Sequence, residues 1–420
     1  MYLKIFEDVI SILHNDYAGC LDKKGCDNPN FYREKIQDSG NMNDEKFVGI
    51  VQDYLLDFKD LHMAFKYTAQ STEMEDDVGF AVRRYDDLLY VVSNEKEDRV
   101  KKGYAITALD GSTVPELVNI HKRRLMETEA ERENWSAILP QYKSADVVSG
   151  SGNSFTIELK KYPKEIFQPE YSIKEISEDT LFLTLTDFMN HNAISKLIDE
   201  NRSFLTTRKN LIIDVRVNRG GSDLAYFDLL PFLFEGEGEE IDLNGFDEGS
   251  MLTNCTSRNV ELRTQLLKSA LSSIEDEVTR NQINAFIRQL EENKDNGFVE
   301  LDFGEVDDSF LIKTKPGPEQ VILLTDVYCG SSGDSFVELC KNSSKVTVIG
   351  RPTLGLNDYS NLAIMSWENK FKLSYPTSKL STVDEGKGMS GVGIQPDIYI
   401  PWTPDHIDVD LDVKKALEFI

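Results

Sequence analysis

One stretch does most to limit what this chain can become. Val321-Ile322-Leu323-Leu324 is a continuous apolar run, too short for a helix of its own and apolar enough for a strand buried on both faces. The turn Thr325-Asp326-Val327-Tyr328-Cys329-Gly330 ends it, and Ser331-Ser332-Gly333-Asp334 then offers capping oxygens and an early acid. Phe336, Val337, Leu339 and Cys340 follow at helical spacing, which predicts a helix. Ser331 stands at the handover, where unpaired amides and the positive end of the helix dipole face whatever approaches. A serine so placed is either a plain helix cap or a nucleophile. The glycines at 330 and 333 do not form the G-x-S-x-G elbow.

The rest of the chain places this junction inside an α/β fold. Leu3, Ile5, Phe6, Val9, Ile10 and Leu13 form one helical stripe, and Phe47, Val48, Ile50, Val51, Tyr54, Leu55 and Phe58 form another. The second helix runs into Lys59-Asp60-Leu61-His62, and residues 63–67 read as an edge strand. From Asp77 to Tyr162 the pattern changes to short strands at 79–84, 88–92, 104–109 and 154–159, with helices expected over 114–125 and 126–145. A strand at 180–185, a helix at 194–205 and a strand at 211–215 alternate as in a parallel or mixed sheet, and a helix is expected over 224–234. Residues 235–318 interrupt this alternation with an acidic, Gly-rich start and a long polar helical part, which reads as a helical cap inserted over a cleft. Strands at 346–350, 361–365 and 371–376 and a terminal helix close the chain.

Composition removes several classes of function. A net charge of −27 argues against nucleic acid and anionic membranes as partners, since both are bound by clustered Lys and Arg. No apolar run approaches the ~20 residues that span a bilayer, so no membrane span is expected. The first ten residues read as an amphipathic helix carrying acids rather than a signal peptide, and a cytoplasmic location is the expectation. Five scattered cysteines do not suggest a disulfide framework, and Cys20 with Cys26 lacks a second Cys/His pair to complete a metal site. Without a phosphate-binding loop, a dinucleotide fingerprint or H-E-x-x-H, neither a metal nor a cofactor is expected.

Four segments, in this order, resemble the tail-specific (C-terminal processing) serine peptidase family, and in particular its tricorn-like branch. They are Lys59-Asp60-Leu61-His62; Leu211-Ile212-Ile213-Asp214-Val215-Arg216-Val217-Asn218-Arg219-Gly220-Gly221; the Ser331 stretch; and Met389-Ser390-Gly391-Val392-Gly393-Ile394-Gln395-Pro396-Asp397. The run from Val100 to Val114 also looks like part of a PDZ domain, a module that binds extended peptides as an added strand. The resemblance implies a helical N-terminal region over 1–75, a PDZ-like, β-rich domain over 76–165, and an α/β peptidase core of the ClpP/crotonase-like kind over 166–420. That core would carry the insertion at about 236–318. It also implies a serine-type endopeptidase whose partner is a peptide or unfolded polypeptide substrate. The same fold occurs in retinoid-binding repeats, so a catalytically weak relative that binds peptide or a small apolar ligand is the alternative. The oligomeric state is not legible.

On this resemblance Ser331 is the nucleophile, and the N–H groups of Ser332 and of Gly220 or Gly221 form the oxyanion hole. Leu356 stands where the tail-specific branch has its lysine, and leucine cannot accept a proton. The base is therefore His62, which matches the histidine of the tricorn-like branch and is of the residue type suited to general-base work at physiological pH. Ser390 stands in place of the family glutamate that completes the set, and serine supplies no negative charge for an imidazolium. Either Ser390 serves weakly, or Asp384, Glu385 or Asp60 substitutes, or activity is reduced.

Overall fold

The computed structural model describes residues 1–68, 76–127, 129–164, 166–246, 249–274, 277–302 and 311–420. Its central sheet runs in the spatial order Tyr171–Ser177, Thr180–Leu185, Asn210–Asp214, Gln320–Thr325, Val346–Gly350 and Ile398–Tyr399. The first pair is antiparallel and the remaining four pairings are parallel. Alternate residues explain the apolar runs. Leu211, Ile213, Val321, Leu323 and Val348 pack on one side with Phe336 and Val337 of the helix Ser332–Cys340. Ile212, Ile322, Leu324 and Ile349 face the other way, onto Ala416 of the helix Leu411–Phe419. A strand covered on both faces has no solvent side to make polar. The loops that carry Gly220, Gly221 and Ser331 leave the carboxyl ends of neighbouring strands, which is where open α/β sheets hold ligands.

A second, antiparallel sheet joins Ala81–Tyr85, Leu88–Ser93, Ala105–Leu109, Ser144–Val148 and Ser154–Glu158, with the short strand Ser112–Thr113 beside Ala105–Leu109. The helix Val114–Leu125 lies on it through Val114, Leu117 and Leu125. The helix expected over 126–145 is not formed among the described residues. Met126 adopts φ +56° and ends the preceding helix, Pro140 removes a donor, and only the 3-10 turns Ala130–Arg132 and Leu139–Gln141 remain. Ser144–Val148 is instead an interior strand, with Ala145 and Val147 turned into the core.

The third sheet could not be foreseen from local pattern. Strands Tyr359–Trp367 and Phe371–Leu380 form a hairpin outside the central sheet. Phe371–Leu380 pairs on one side with the N-terminal strand Ala64–Tyr67, and with Met251–Asn254 of the insertion, which in turn pairs with Phe298–Glu300. The helices Tyr2–Asn15, Pro29–Gln37 and Asp44–Leu55 cover this sheet through Phe6, Phe47, Phe65, Phe371 and Tyr375. The span read as a helical cap is thus partly strand. Its helix Ser257–Ala270 is tied to the N-terminal region by Arg258, which bonds Asp8 at 2.9 Å and Asp16 at 2.8 Å. Residues 303–310 of that span lie outside the described residues. The expected helix over 224–234 is broken into a 3-10 turn, Asp223–Tyr226, and one α-turn, Leu230–Leu233, with Pro231 at its start. No helix among the described residues is long and apolar enough to cross a membrane.

Candidate active site

Ser331 caps the helix Ser332–Cys340 with φ +60° and ψ −126°, a conformation that a residue with a Cβ rarely adopts. Although the motif is not the glycine-flanked elbow, the backbone is strained in a comparable way. What holds it there is Asp334, a fully buried carboxylate that accepts the amides of Ser331 (2.8 Å), Gly355 (2.9 Å) and Leu356 (2.8 Å). Burial pushes the Asp334 carboxyl up, against the opposing pull of the Thr353 hydroxyl and these three amides. Asn357 adds a bond from its side-chain amide to the Ser331 carbonyl at 2.8 Å.

The glycine loop presses directly on this turn. A Cβ on Gly220 would lie 2.5 Å from Ser331 Cβ and 3.0 Å from Ser332 N, and Gly220 has φ +72°. Only glycine satisfies both the space and the dihedral. Of the two glycine amides expected to face an oxyanion, that of Gly220 is already donated to Asn218 Oδ1 at 2.9 Å. Gly221 is the one without a protein partner among the described residues, while Phe188 on its other side bonds the Gly220 carbonyl and the Ser222 amide. The Ser332 amide lies in the first turn of its helix, where no preceding helical carbonyl is available to it. Beside it, the exposed Asp223 accepts from the Ser332 and Tyr226 hydroxyls, and desolvation by the protein around its carboxyl raises its pKa against those bonds.

His62 is half-buried, and its Nδ1 lies 2.6 Å from the carbonyl oxygen of Tyr359. A carbonyl can only accept, so the Nδ1 nitrogen carries the proton and Nε2 keeps its lone pair. The Asp60 carboxylate holds the His62 main chain rather than its ring: Oδ1 accepts the His62 amide at 2.9 Å and Oδ2 accepts the buried Tyr17 hydroxyl at 2.7 Å. Asn357, bonded to Ser331, and Tyr359, bonded to His62, are two residues apart, at most about 7 Å of extended chain. Among the described residues no hydrogen bond joins the Ser331 hydroxyl to the His62 ring; such contacts are often long before substrate binds.

The acids weighed as substitutes for the missing glutamate are otherwise engaged. Asp384 pairs with Lys379 at 2.7 Å and Glu385 with Lys387 at 2.9 Å. Ser390 is exposed, and its amide is donated to Asp358 Oδ2 at 2.8 Å. Three of the four sequence segments therefore meet on one short run, 353–359, and the glycine loop joins them by pressing on Ser331. Thr353 exchanges hydrogen bonds with Ile394, Leu354 N bonds Cys329 O, and Asp358 holds Met389 and Ser390. The sequence offered no sign of this, because most of the partners in that run are main-chain atoms.

A buried ion network joins the antiparallel sheet to the turn that leads to Ser331. Arg83 makes two bonds of 2.7 Å to Asp326, which also accepts from Arg351 at 2.9 Å. Burial alone would raise the Asp326 carboxyl, but the two guanidiniums hold it below the usual carboxylate range. Arg132 reaches from the same sheet to the carbonyls of Thr353 and Leu354 at 2.9 and 3.0 Å. Among the described residues no group of three or more His, Cys, Asp or Glu could hold a metal ion.

This arrangement has known counterparts. The model of peptidase family S41 matches residues 179–400. Among solved structures, mature CPAF is 15% identical, matches over 99% of this chain and 95% of that chain, and superposes with a TM-score of 0.66. Mature CPAF complexed with lactacystin gives 15% identity, coverage of 100% and 97%, and a TM-score of 0.65. The tricorn protease matches over 99% of this chain and 36% of that chain, at 12% identity and a TM-score of 0.44. No curated protein sequence matches the chain.

Proposed function

Since the chain belongs to peptidase family S41 and is a serine peptidase, we propose that it is an endopeptidase that cleaves peptides or unfolded polypeptides through an acyl-enzyme on Ser331, with His62 as general base. The observation that carries this reading is the tautomer of His62. Its Nδ1–H is spent on the Tyr359 carbonyl, which leaves Nε2 free to take a proton.

In this reading Ser331 Oγ attacks the scissile carbonyl while Nε2 accepts its proton. The carbonyl oxygen becomes an oxyanion facing the amides of Ser332 and Gly221. The imidazolium then returns the proton to the leaving amine, and the C–N bond breaks to give the acyl-enzyme. A water, deprotonated by the same Nε2, releases the acid and restores Ser331. The backbone at φ +60° supports this role, because strain of that kind is kept where surrounding contacts over-determine it. The second sheet, anchored to the nucleophile turn by Arg83 and Arg132, would present the polypeptide as a PDZ-like module.

The test is intact-protein mass after incubation with a fluorophosphonate. One adduct per wild-type chain is expected, lost in Ser331→Ala and in His62→Ala. Lactacystin, with which mature CPAF forms a complex, is a second probe of the same serine. Folded wild type that takes up neither reagent would overturn the proposal.

A further inference from the structure

We propose that Asp358 supplies the negative charge that steadies protonated His62, in the place where residue 390 is a serine. The inference rests on the reading of His62 as general base and assigns Asp358 as a positioning residue for it.

Asp358 is 3% exposed. Its Oδ1 accepts the Met389 amide at 2.7 Å and its Oδ2 the Ser390 amide at 2.8 Å. A Cβ on Gly388 would lie 2.7 Å from Oδ2, so the backbone of 388–390 wraps the carboxylate closely. The next residue, Tyr359, is the one whose carbonyl takes the His62 Nδ1 proton, and the Asp358 carbonyl is fixed by the Leu380 amide at 3.0 Å. The carboxylate thus stands between the anchor of the imidazole and the turn that carries Ser390.

The other charges around His62 come from three elements. Asp60, on the histidine's own loop, is occupied by the Tyr17 hydroxyl and the His62 amide. From the N-terminal segment, Lys23 lies 4.5 Å from the Tyr359 ring centroid and 3.4 Å from the Lys59 carbonyl, with the Lys59 ammonium on the same loop as His62. Asp22, on that segment, accepts from Tyr359 and from Lys379 of the hairpin, and Lys379 also binds Asp384. Asp22 and Asp384 share the single positive charge of Lys379. Asp358 takes its hydrogen bonds from amides, which carry no net charge, and it is in none of the ion pairs among the described residues. Its field falls on Lys23 of the N-terminal segment and on what else lies nearby, and a positive imidazole is a group it would favour.

The experiment is the rate of fluorophosphonate labelling as a function of pH for wild type, Asp358→Asn, Ser390→Glu and the double variant, each checked for folding. Loss of the charge should lower the acid-limb midpoint by about one pH unit. Labelling at pH 7 should fall by up to about tenfold in Asp358→Asn, the limit that a one-unit change in base strength sets, and Ser390→Glu in that background should recover most of it. An acid limb unmoved in folded Asp358→Asn, or no recovery in the double variant, would show that Asp358 only braces the turn. If Asp358→Asn does not fold, Asp358→Glu replaces it: an acid limb kept despite lowered stability supports the charge, and one lost in step with stability overturns it. His62→Ala and Ser331→Ala run alongside. Labelling that survives in them sinks the general-base reading itself, whereas an unlabelled pair beside an unmoved Asp358→Asn limb sinks this inference alone.

Discussion

Replacing Ser331 by glycine should make the protein more stable than replacing it by alanine, the reverse of the usual order. Both substitutions remove the hydroxyl, so they differ only in backbone freedom and one methyl group. At φ +60° and ψ −126° alanine keeps the strain, on the order of 1–3 kcal/mol for a residue with a Cβ, and glycine sheds it. Against this, glycine adds about 0.5–1 kcal/mol of chain entropy to the unfolded state. The balance favours Ser331→Gly by about 1 kcal/mol, or about 2–4 °C in midpoint for a cooperative unit of 150–250 residues. Scanning fluorimetry of the two variants side by side measures it, with both inert to fluorophosphonate. A glycine variant that melts below the alanine variant would refute the claim that this backbone is strained.

Three further outcomes follow from the same geometry. Gly220→Ala forces a methyl to within 2.5 Å of Ser331 Cβ, and peptidase activity should fall about a hundredfold, as for a reacting group displaced by about 1 Å, read as kcat on an unfolded protein substrate. Arg83→Ala strips one partner from buried Asp326 and should cost about 3 kcal/mol, the lower end for a broken buried pair because Arg351 remains, measured by urea unfolding. The same carboxyl sets an acid dependence. Its folded pKa is depressed, so its contribution is complete above the unfolded value of about 3.9 and is lost as pH falls through the folded value. Arg83→Ala should accordingly move the acid-unfolding midpoint upward. Tyr17→Phe removes the hydroxyl on Asp60 Oδ2 and should lower kcat several-fold with KM unchanged, since it touches only the loop that carries His62.

The central sheet was readable because strands covered on both faces have to be apolar throughout, and Leu211–Val215 and Val321–Leu324 are. Ser331, His62 and the glycine pair were singled out from the segments that carry them, and the structure sets Gly220 against Ser331. Ser144–Val148 was missed because a five-residue strand with polar outward residues has no more pattern than the turns before it. The pairing of Ala64–Tyr67 with Phe371–Ser374 was illegible because nothing local reports a partner some three hundred residues away. The orientation of His62 escaped for a different reason. Its partner is the Tyr359 carbonyl, and every residue has a carbonyl, so no residue type marks the one that matters. Asp334 was read as an early helical acid, which it is, but its grip on Gly355 and Leu356 depends on how the chain returns to it.

The separation between His62 and Tyr359 also bears on biosynthesis. At about 5–20 residues per second, a ribosome takes about 15–60 s to pass from one to the other. Throughout that interval the growing chain has His62 with nothing to aim it, and for most of it Ser331 has not been made. The strand that seats the N-terminal edge, Phe371–Leu380, emerges later still. On the proposed reading assembly order would act as a safeguard: the nascent polypeptide is itself unfolded, the kind of material the enzyme is proposed to cut, and His62 is aimed only after Tyr359 has been made and its strand pairs with Phe371–Leu380.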